Sequence, residues 1–519
     1  MPRERWGSRI GVIMAVAGSA LGLGNFLRFP VQAAQNGGGA FLIPYFVALL
    51  LLGLPLMWIE WTVGRFGGGF GHSTAPGMFH TLWQKNRFIK YFGVIGIFGP
   101  TVIYIYYVYV ESWLLGYSAF ALTGRYNECT TRESLTAFLQ GYQGVVQNQY
   151  FSGIGMAYVF FLLTFAANLL VLYLGIKRGI EVVCKYGLPI LFVLGAVLMV
   201  RVFTLGAPDP AVPENNVING LGFLWNPDWS RLLDGKVWLA AAGQIFFTLS
   251  VGIGVILTYA SYLTKRDDVA LSGLTAAATN EVAEVILGGS IVIPAAFAFF
   301  GAATAQIAAS GSFNLGFVTV PLVLQKMAWG QLFGFAWFTL LFIAGVTSSI
   351  SLALPAVAFL EDEFNLSKKE AVFVFGLNTF VLCHFVIFFL GKGVMDELDF
   401  WAVNVCLVVF GLIETILFGW VFGIQRAWKE LHLGSDITIP RFYQFIIKYV
   451  TPAVLLVILG TWFVQEGWGQ ILMRGVPEEN VRYILATRIL LVALFVNLAV
   501  LVWFAWRRRA ARTGEEALP

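Results

Sequence analysis

Residues 19–30 read SALGLGNFLRFP, and they interrupt a run that starts as a membrane-spanning helix. The residues before them, IGVIMAVA at 10–17, are wholly apolar. Within a dozen positions come Gly18, Gly22, Gly24, Asn25, Arg28 and Pro30. Glycine weakens a helix, and proline removes a backbone donor. An amide and a guanidinium are costly in hydrocarbon. The segment therefore predicts a span that unwinds near its middle and faces something other than lipid.

The whole chain supports a membrane setting. It has 519 residues, 58% hydrophobic and 12% charged, with mean hydropathy +0.77. A soluble chain carries about 25% charged residues. Apolar runs of about 20 residues make the class all-α integral membrane, and the short alternating segments of a barrel are absent. Twelve spans are expected at roughly 10–36, 40–66, 90–123, 157–176, 179–204, 237–262, 271–301, 332–362, 370–391, 396–425, 443–466 and 483–506. Arg3, Arg5 and Arg9 lead into the first span without a signal-cleavage pattern, so that helix is expected to be retained. With the N-terminus inside, roughly two-thirds of the 33 Lys and Arg residues fall on cytoplasmic segments. Both termini are then cytoplasmic in a multi-pass plasma (inner) membrane protein. The partner this implies is the lipid bilayer. A net charge of +4 gives no reason to expect nucleic acid. Cys129, Cys184, Cys383 and Cys406 show no metal spacing. Outer loops are expected at 124–156, 205–236 and 302–331, the last as a re-entrant or hairpin cap, with PDPAVPENN at 208–216 incompatible with helix.

A second interruption matches the first. Residues 244–262 read QIFFTLSVGIGVILTYASY, with Thr248, Ser250, Gly252 and Gly254 in the middle. Two Gly-interrupted spans, five helices apart, point to an inverted-repeat transporter with a midplane site. A broken helix exposes N–H groups at one half's start and carbonyls at the other half's end. The first suits a carboxylate, the second a hard cation or an ammonium. An amino acid carries both charges a short distance apart. Other polar residues recur at helical spacing: Ala344, Thr347 and Ser348; Asn280 and Glu284; Gln244 and Thr248; and Ile103 with Tyr107. A carboxylate within a span, such as Glu60 or Glu284, requires a partner or a proton. Identical pore-lining rings are absent, which argues against a channel. No nucleophile stands with His and acid partners, so an enzyme is not expected. A slow-turnover sensor using the same sites stays open at this stage.

Several stretches carry a specific resemblance. They are GSALGLGNFLRFPVQAAQNGGGAFLIPY (18–45), IEW (59–61), YYVYVESW (106–113), QIFFTLSVGIG (244–254), TNEVAEVILGG (279–289), AGVTSSIS (344–351) and FLEDE (359–363). The chain resembles the neurotransmitter:sodium symporter family, and within it the bacterial amino-acid members of the leucine-transporter type. The resemblance implies twelve transmembrane helices with a five-plus-five inverted repeat and broken first and sixth helices. The repeats would be 1–204 and 237–425, separated by the loop 205–236 and followed by two further spans and a tail at 426–519. The implied function is sodium-coupled import of an amino acid by alternating access.

The resemblance also implies a residue set. One sodium ion (Na1) would be held by Ala20, Asn25, Thr248 and Asn280 with the substrate carboxylate. A second (Na2) would be held by Gly18, Leu21, Ala344, Thr347 and Ser348. Substrate would meet Ala20, Leu23, Gly24, Ile103, Tyr107, Phe247, Thr248, Ser250, Ile253, Ser348 and Leu352. Arg28 and Asp399 would form an outer gate, and Arg3, Trp6, Ser261, Tyr262 and Asp362 an inner one. Glu284 occupies the place of a Ser in chloride-dependent relatives, which use chloride near Tyr45, Gln244 and Asn280. Its carboxylate would substitute for that chloride. Gly22 replaces the acid of amine-transporting members, so the substrate brings its own carboxylate. Ile253 replaces a Phe and Ile103 a smaller Val of the leucine-type pocket, and Leu354 replaces a Gln. A neutral, medium-to-large hydrophobic or aromatic L-amino acid is expected. Bacterial relatives pair through the ninth and twelfth spans, so the resemblance allows a homodimer.

Overall fold

The structure, a computed structural model, describes residues 4–308 and 310–513. Among them no β-strand forms, and Gly38 and Pro227 make an isolated bridge. Seven spans are continuous: Gly39–Gly68, Ile89–Thr123, Gly330–Phe364, Lys368–Lys392, Val394–Val421, Tyr443–Gln465 and Glu478–Arg509. The helical run Val269–Ala308 contains an eighth. A further apolar run, Gly155–Phe203, has 49 residues. At 1.5 Å per residue it would measure about 74 Å if straight, more than twice the hydrocarbon core. It turns instead at Gly175, whose φ is +78° and ψ −166°. Gly155–Gly175 and Glu181–Phe203 are therefore separate fourth and fifth spans.

The first and sixth spans are both interrupted. The first consists of Arg9–Ala20 and Gly24–Gln35, bent by 46°. The sixth consists of Gly235–Thr248 and Val255–Ala260. The described residues thus form twelve spans in the expected order, with ends within a few residues of those read from hydropathy.

The third and eighth spans pack along each other, and the eighth also packs on the first. Trp113, Tyr117 and Trp337 are wholly buried, the first two against Phe317 and the third against Phe26. The eleventh and twelfth stand outside this core, and Val457 and Val492 leave more than 60% of their surface exposed. Apolar side chains so exposed fit contact with lipid tails.

The loops expected on the outer side are more ordered than their polarity suggests. Helix Arg132–Tyr142 is closed by a capping box at Thr131 and Ser134 and buries Leu135 and Phe138. Helix Val217–Trp225 begins at the Asn216 cap, after the non-helical 208–216 stretch. The expected cap contains the short apolar helix Ser312–Gln325. A Cβ on Gly316 would collide with Leu27, so this cap rests directly on the outer half of the first span. Several spans also contain π-helical turns that hydropathy did not foretell, at Leu49–Gly53, Val282–Gly289 and Phe400–Cys406.

Candidate functional site

The two breaks face one cavity of about 60 Å³. The residues on both sides explain why the chain unwinds there. In the sixth span Ser250, Gly252 and Gly254 all have positive φ, at +52°, +78° and +81°. A Cβ on Gly252 would stand 2.5 Å from the Leu407 carbonyl oxygen, and one on Gly254 2.5 Å from that of Gly96. Only glycine fits either position. In the first span the helix ends at Ala20, and Leu21 leaves it with ψ +76°. No positive φ occurs between Leu21 and Arg28. Glycine there serves close approach. A Cβ on Gly22 would lie 3.0 Å from Ser348 Oγ and 3.2 Å from the Tyr107 hydroxyl, and one on Gly24 would collide with the Phe247 ring.

All eleven expected substrate residues line the cavity: Ala20, Leu23, Gly24, Ile103, Tyr107, Phe247, Thr248, Ser250, Ile253, Ser348 and Leu352. Two bonds tie the breaks to their surroundings. The Leu23 N–H donates to the Tyr107 hydroxyl at 3.3 Å, and Ser250 Oγ donates to the Ser19 carbonyl at 3.0 Å. Val403 and Leu407 of the tenth span also line the cavity. Sequence reasoning missed them, because apolar residues in an apolar span carry no mark. Their one legible sign is register, four and eight residues after Asp399.

Beside the cavity, the side chains proposed for Na1 meet in one buried cluster. The Asn25 amide donates to Asn280 Oδ1 at 2.8 Å, Glu284 Oε2 at 3.1 Å and Thr248 Oγ1 at 3.3 Å. Asn280 donates to Thr248 Oγ1 at 3.0 Å. Gln244 donates to Glu284 Oε1 at 2.7 Å, and the Thr248 hydroxyl closes onto Glu284 Oε2. Asn25, Gln244, Asn280 and Glu284 have no solvent exposure, and Thr248 has 1%. Glu284 is held there by neutral donors from the first and sixth spans, and the Asn280 amide also reaches a second acid, Glu281, at 3.4 Å. Ala20, the backbone member of the set, ends the first half-helix at the cavity wall.

The Na2 group assembles between the first and eighth spans. Ser348 Oγ donates toward the Ser19 and Gly18 carbonyls at 3.2 and 3.5 Å. Thr347 Oγ1 donates to the Ile343 and Ala344 carbonyls, each at 3.1 Å. A Cβ on Gly18 would lie 3.2 Å from Thr347 Cβ, which shows how near the spans run. Leu21 is wholly buried at the break. The donor set is carbonyl and hydroxyl oxygen throughout, the chemistry a hard cation takes.

On the outer side, the Arg28 guanidinium lies 4.3 Å from the centre of the Phe247 ring. Asp399 accepts from the Tyr106 hydroxyl at 2.6 Å. Among the described residues the two gate residues do not pair directly. Each is held by an aromatic neighbour instead. On the inner side, Trp6 Nε1–H donates to the Tyr259 carbonyl at 3.0 Å, and its ring meets that of Tyr259 edge-on. Ser261 and Tyr262 are buried at the end of the sixth span, and Asp362 lies near the inner end of the eighth. Arg3 lies outside the described residues. Leu354, the replacement noted on the inner side, is buried.

The structure adds inner contacts that the motif reading did not include. Glu181 accepts from the Gly7 N–H at 2.7 Å and the Ser8 hydroxyl at 2.9 Å. Arg9 bridges Asp268 at 3.0 Å and Asp436 at 2.6 Å. Glu4 pairs with Lys368. The lead-in to the first span is therefore pinned to the fifth, seventh and ninth spans and to the segment after the tenth.

Comparison with known proteins bears on family and fold. A model of the sodium:neurotransmitter symporter family matches residues 3–134 and 131–502. An uncharacterized sodium-dependent transporter of Methanocaldococcus jannaschii is 32% identical over 474 residues, covering 88% of this chain and 90% of its own. The sodium-dependent nutrient amino acid transporter 1 of Drosophila mojavensis is 26% identical over 503 residues, covering 88% and 75%. The crystal structure of MhsT in complex with L-phenylalanine aligns with a TM-score of 0.75 at 30% identity, covering 88% of this chain and 99% of that one. The fold is accordingly that of the leucine transporter, all-α with five-plus-five inverted repeats. Together with the matched length, these relatives place the chain in the sodium:neurotransmitter symporter family, whose members are sodium-dependent transporters and not enzymes.

Proposed function

We propose that this protein imports a neutral, medium-to-large hydrophobic or aromatic L-amino acid together with two sodium ions, independently of chloride. One observation carries the reading: among the described residues, no acid or base lines the cavity between the breaks. Its polar lining is backbone at the breaks, the hydroxyls of Tyr107, Thr248, Ser250 and Ser348, and the Asn25 amide, and its apolar lining includes Ile103, Ile253 and Leu352. Such a site suits a ligand whose two charges cancel and whose side chain is apolar. The L-phenylalanine bound by MhsT has this chemistry.

The residues fit sodium as co-substrate. Asn25 presents its amide nitrogen to Thr248 and Asn280, while its oxygen accepts from the Gly22 N–H at 2.9 Å. A sodium ion held by the Asn25, Thr248 and Asn280 oxygens would also meet the substrate carboxylate. The ion and the substrate then share a contact, and the coupling must be reciprocal. Glu284 supplies the negative charge that chloride supplies elsewhere in the family. The repeats 1–204 and 237–425 then rock against each other, with both termini in the cytoplasm.

Uptake of labelled neutral amino acids into proteoliposomes tests this. The expected result is accumulation with an inward sodium gradient, none with choline, and no change when gluconate replaces chloride. Sodium-dependent binding without accumulation would make the protein a sensor, and absence of any sodium effect would dismiss both ion sites.

A further inference from the structure

The expected side-chain pocket drew its walls from the third, sixth and eighth spans. The cavity has a further wall, Val403 and Leu407 on the tenth, which are 5% and 3% exposed. This wall is pressed against the sixth-span break. The Leu407 carbonyl stands where a Cβ of Gly252 would be, and the next residue, Ile253, lines the same cavity. Along the tenth span, Asp399, Val403 and Leu407 recur every four residues and share one face, through the π-helical turn Phe400–Cys406. The outer end of that face is held to the third span by the Tyr106–Asp399 hydrogen bond.

We propose that Val403 and Leu407 set the upper size limit of the transported side chain, and that the tenth span reads this size as it closes. The inference rests on the amino-acid reading above and deepens it. A side chain that fits lies against this wall with the tenth span packed on the sixth-span break, as it stands in the structure. A longer one meets Val403 and Leu407 first and holds the gate carboxylate away. The register makes the far wall of the pocket and the outer gate parts of one lever. In an apolar pocket one methylene shifts discrimination by roughly 10–200-fold, so a single substitution on this wall is readable.

The test uses the full-length protein in proteoliposomes with labelled alanine, leucine, phenylalanine and tryptophan. Val403→Phe is expected to weaken phenylalanine and tryptophan binding about tenfold or more relative to the smallest amino acid the wild type takes. Sodium-dependent binding of that small substrate is the reference against which the loss is read. Val403→Ala and Leu407→Ala, which remove bulk from this wall, are expected to shift preference toward tryptophan. If all three variants keep the wild-type affinity ratios, or weaken every substrate equally, the wall does not read size and the proposal fails. If wild-type protein binds no amino acid with sodium, the underlying reading fails first, and the two failures are told apart by that control.

Discussion

The two broken spans reach the same result by different physical means. The sixth is unwound by backbone conformation: three residues in five have positive φ, and two of them are glycines facing carbonyl oxygens. The first is unwound without any positive φ, and its glycines make room for Tyr107, Ser348 and the Phe247 ring. The sixth break is therefore fixed by the chain's own dihedrals and by rigid backbone neighbours. The first is fixed by side chains, which can move. Of the two, the first is the better placed to respond to ions and substrate, and the sixth to serve as the stiff counterpart.

Substitutions at the glycines break or sharpen this contrast. Gly254→Ala has the largest expected effect. It forces a Cβ onto a left-handed residue and against the Gly96 carbonyl, a loss of at least ~2 kcal/mol in stability. Thermal unfolding of detergent-solubilised protein is expected to show that loss, with sodium-dependent binding abolished. An unchanged melting temperature would mean that the sixth break is as pliant as the first. Thr347→Val tests the ion side of the first break. Losing a hydroxyl from a buried oxygen set costs roughly 1–3 kcal/mol, a five- to hundredfold loss in sodium affinity. A sodium titration of substrate binding reads it directly, and no shift would remove Thr347 from the ion site.

Gly24→Ala comes next, because its obstacle is the swinging ring of Phe247. About a tenfold loss of substrate affinity is expected, with little change in unfolding. A loss of stability equal to that of Gly254→Ala would erase the distinction between the breaks. Gly22→Ala meets only hydroxyls at 3.0 and 3.2 Å, and an effect within about threefold is expected. Glu284→Ser sharpens the comparison chemically. It removes the acid that holds first and sixth spans together through Asn25 and Thr248. Transport is then expected to need chloride, which ion replacement in the uptake assay checks.

Much of this was legible in the residues. Both interruptions stood out because glycine, amide and hydroxyl are rare together inside apolar runs. Asn25, Thr248, Asn280 and Glu284 were visible for the same reason, as polar groups where lipid was expected. Val403 and Leu407 were invisible, since an apolar residue reads alike whether it faces lipid, core or cavity. Ser250 was seen as a hydroxyl but not as a left-handed residue, because its φ depends on tertiary packing that no local signal reports. The inner pins at Glu181, Arg9 and Asp268 join residues more than 170 positions apart. Pairing at that distance is set by how the spans assemble, not by any spacing within them.

That no acid or base among the described residues lines the cavity has an electrical consequence. If the passenger is a zwitterion, as proposed, it adds nothing to the charge of the loaded carrier, and the current counts the ions that travel with it. Each ion moving inward across 100 mV releases about 2.3 kcal/mol, enough to hold roughly a fiftyfold concentration ratio of substrate. Membrane voltage then becomes as much a fuel as the sodium gradient. The ratio of charge to substrate moved, read as current against uptake, reports how many ions the two breaks carry.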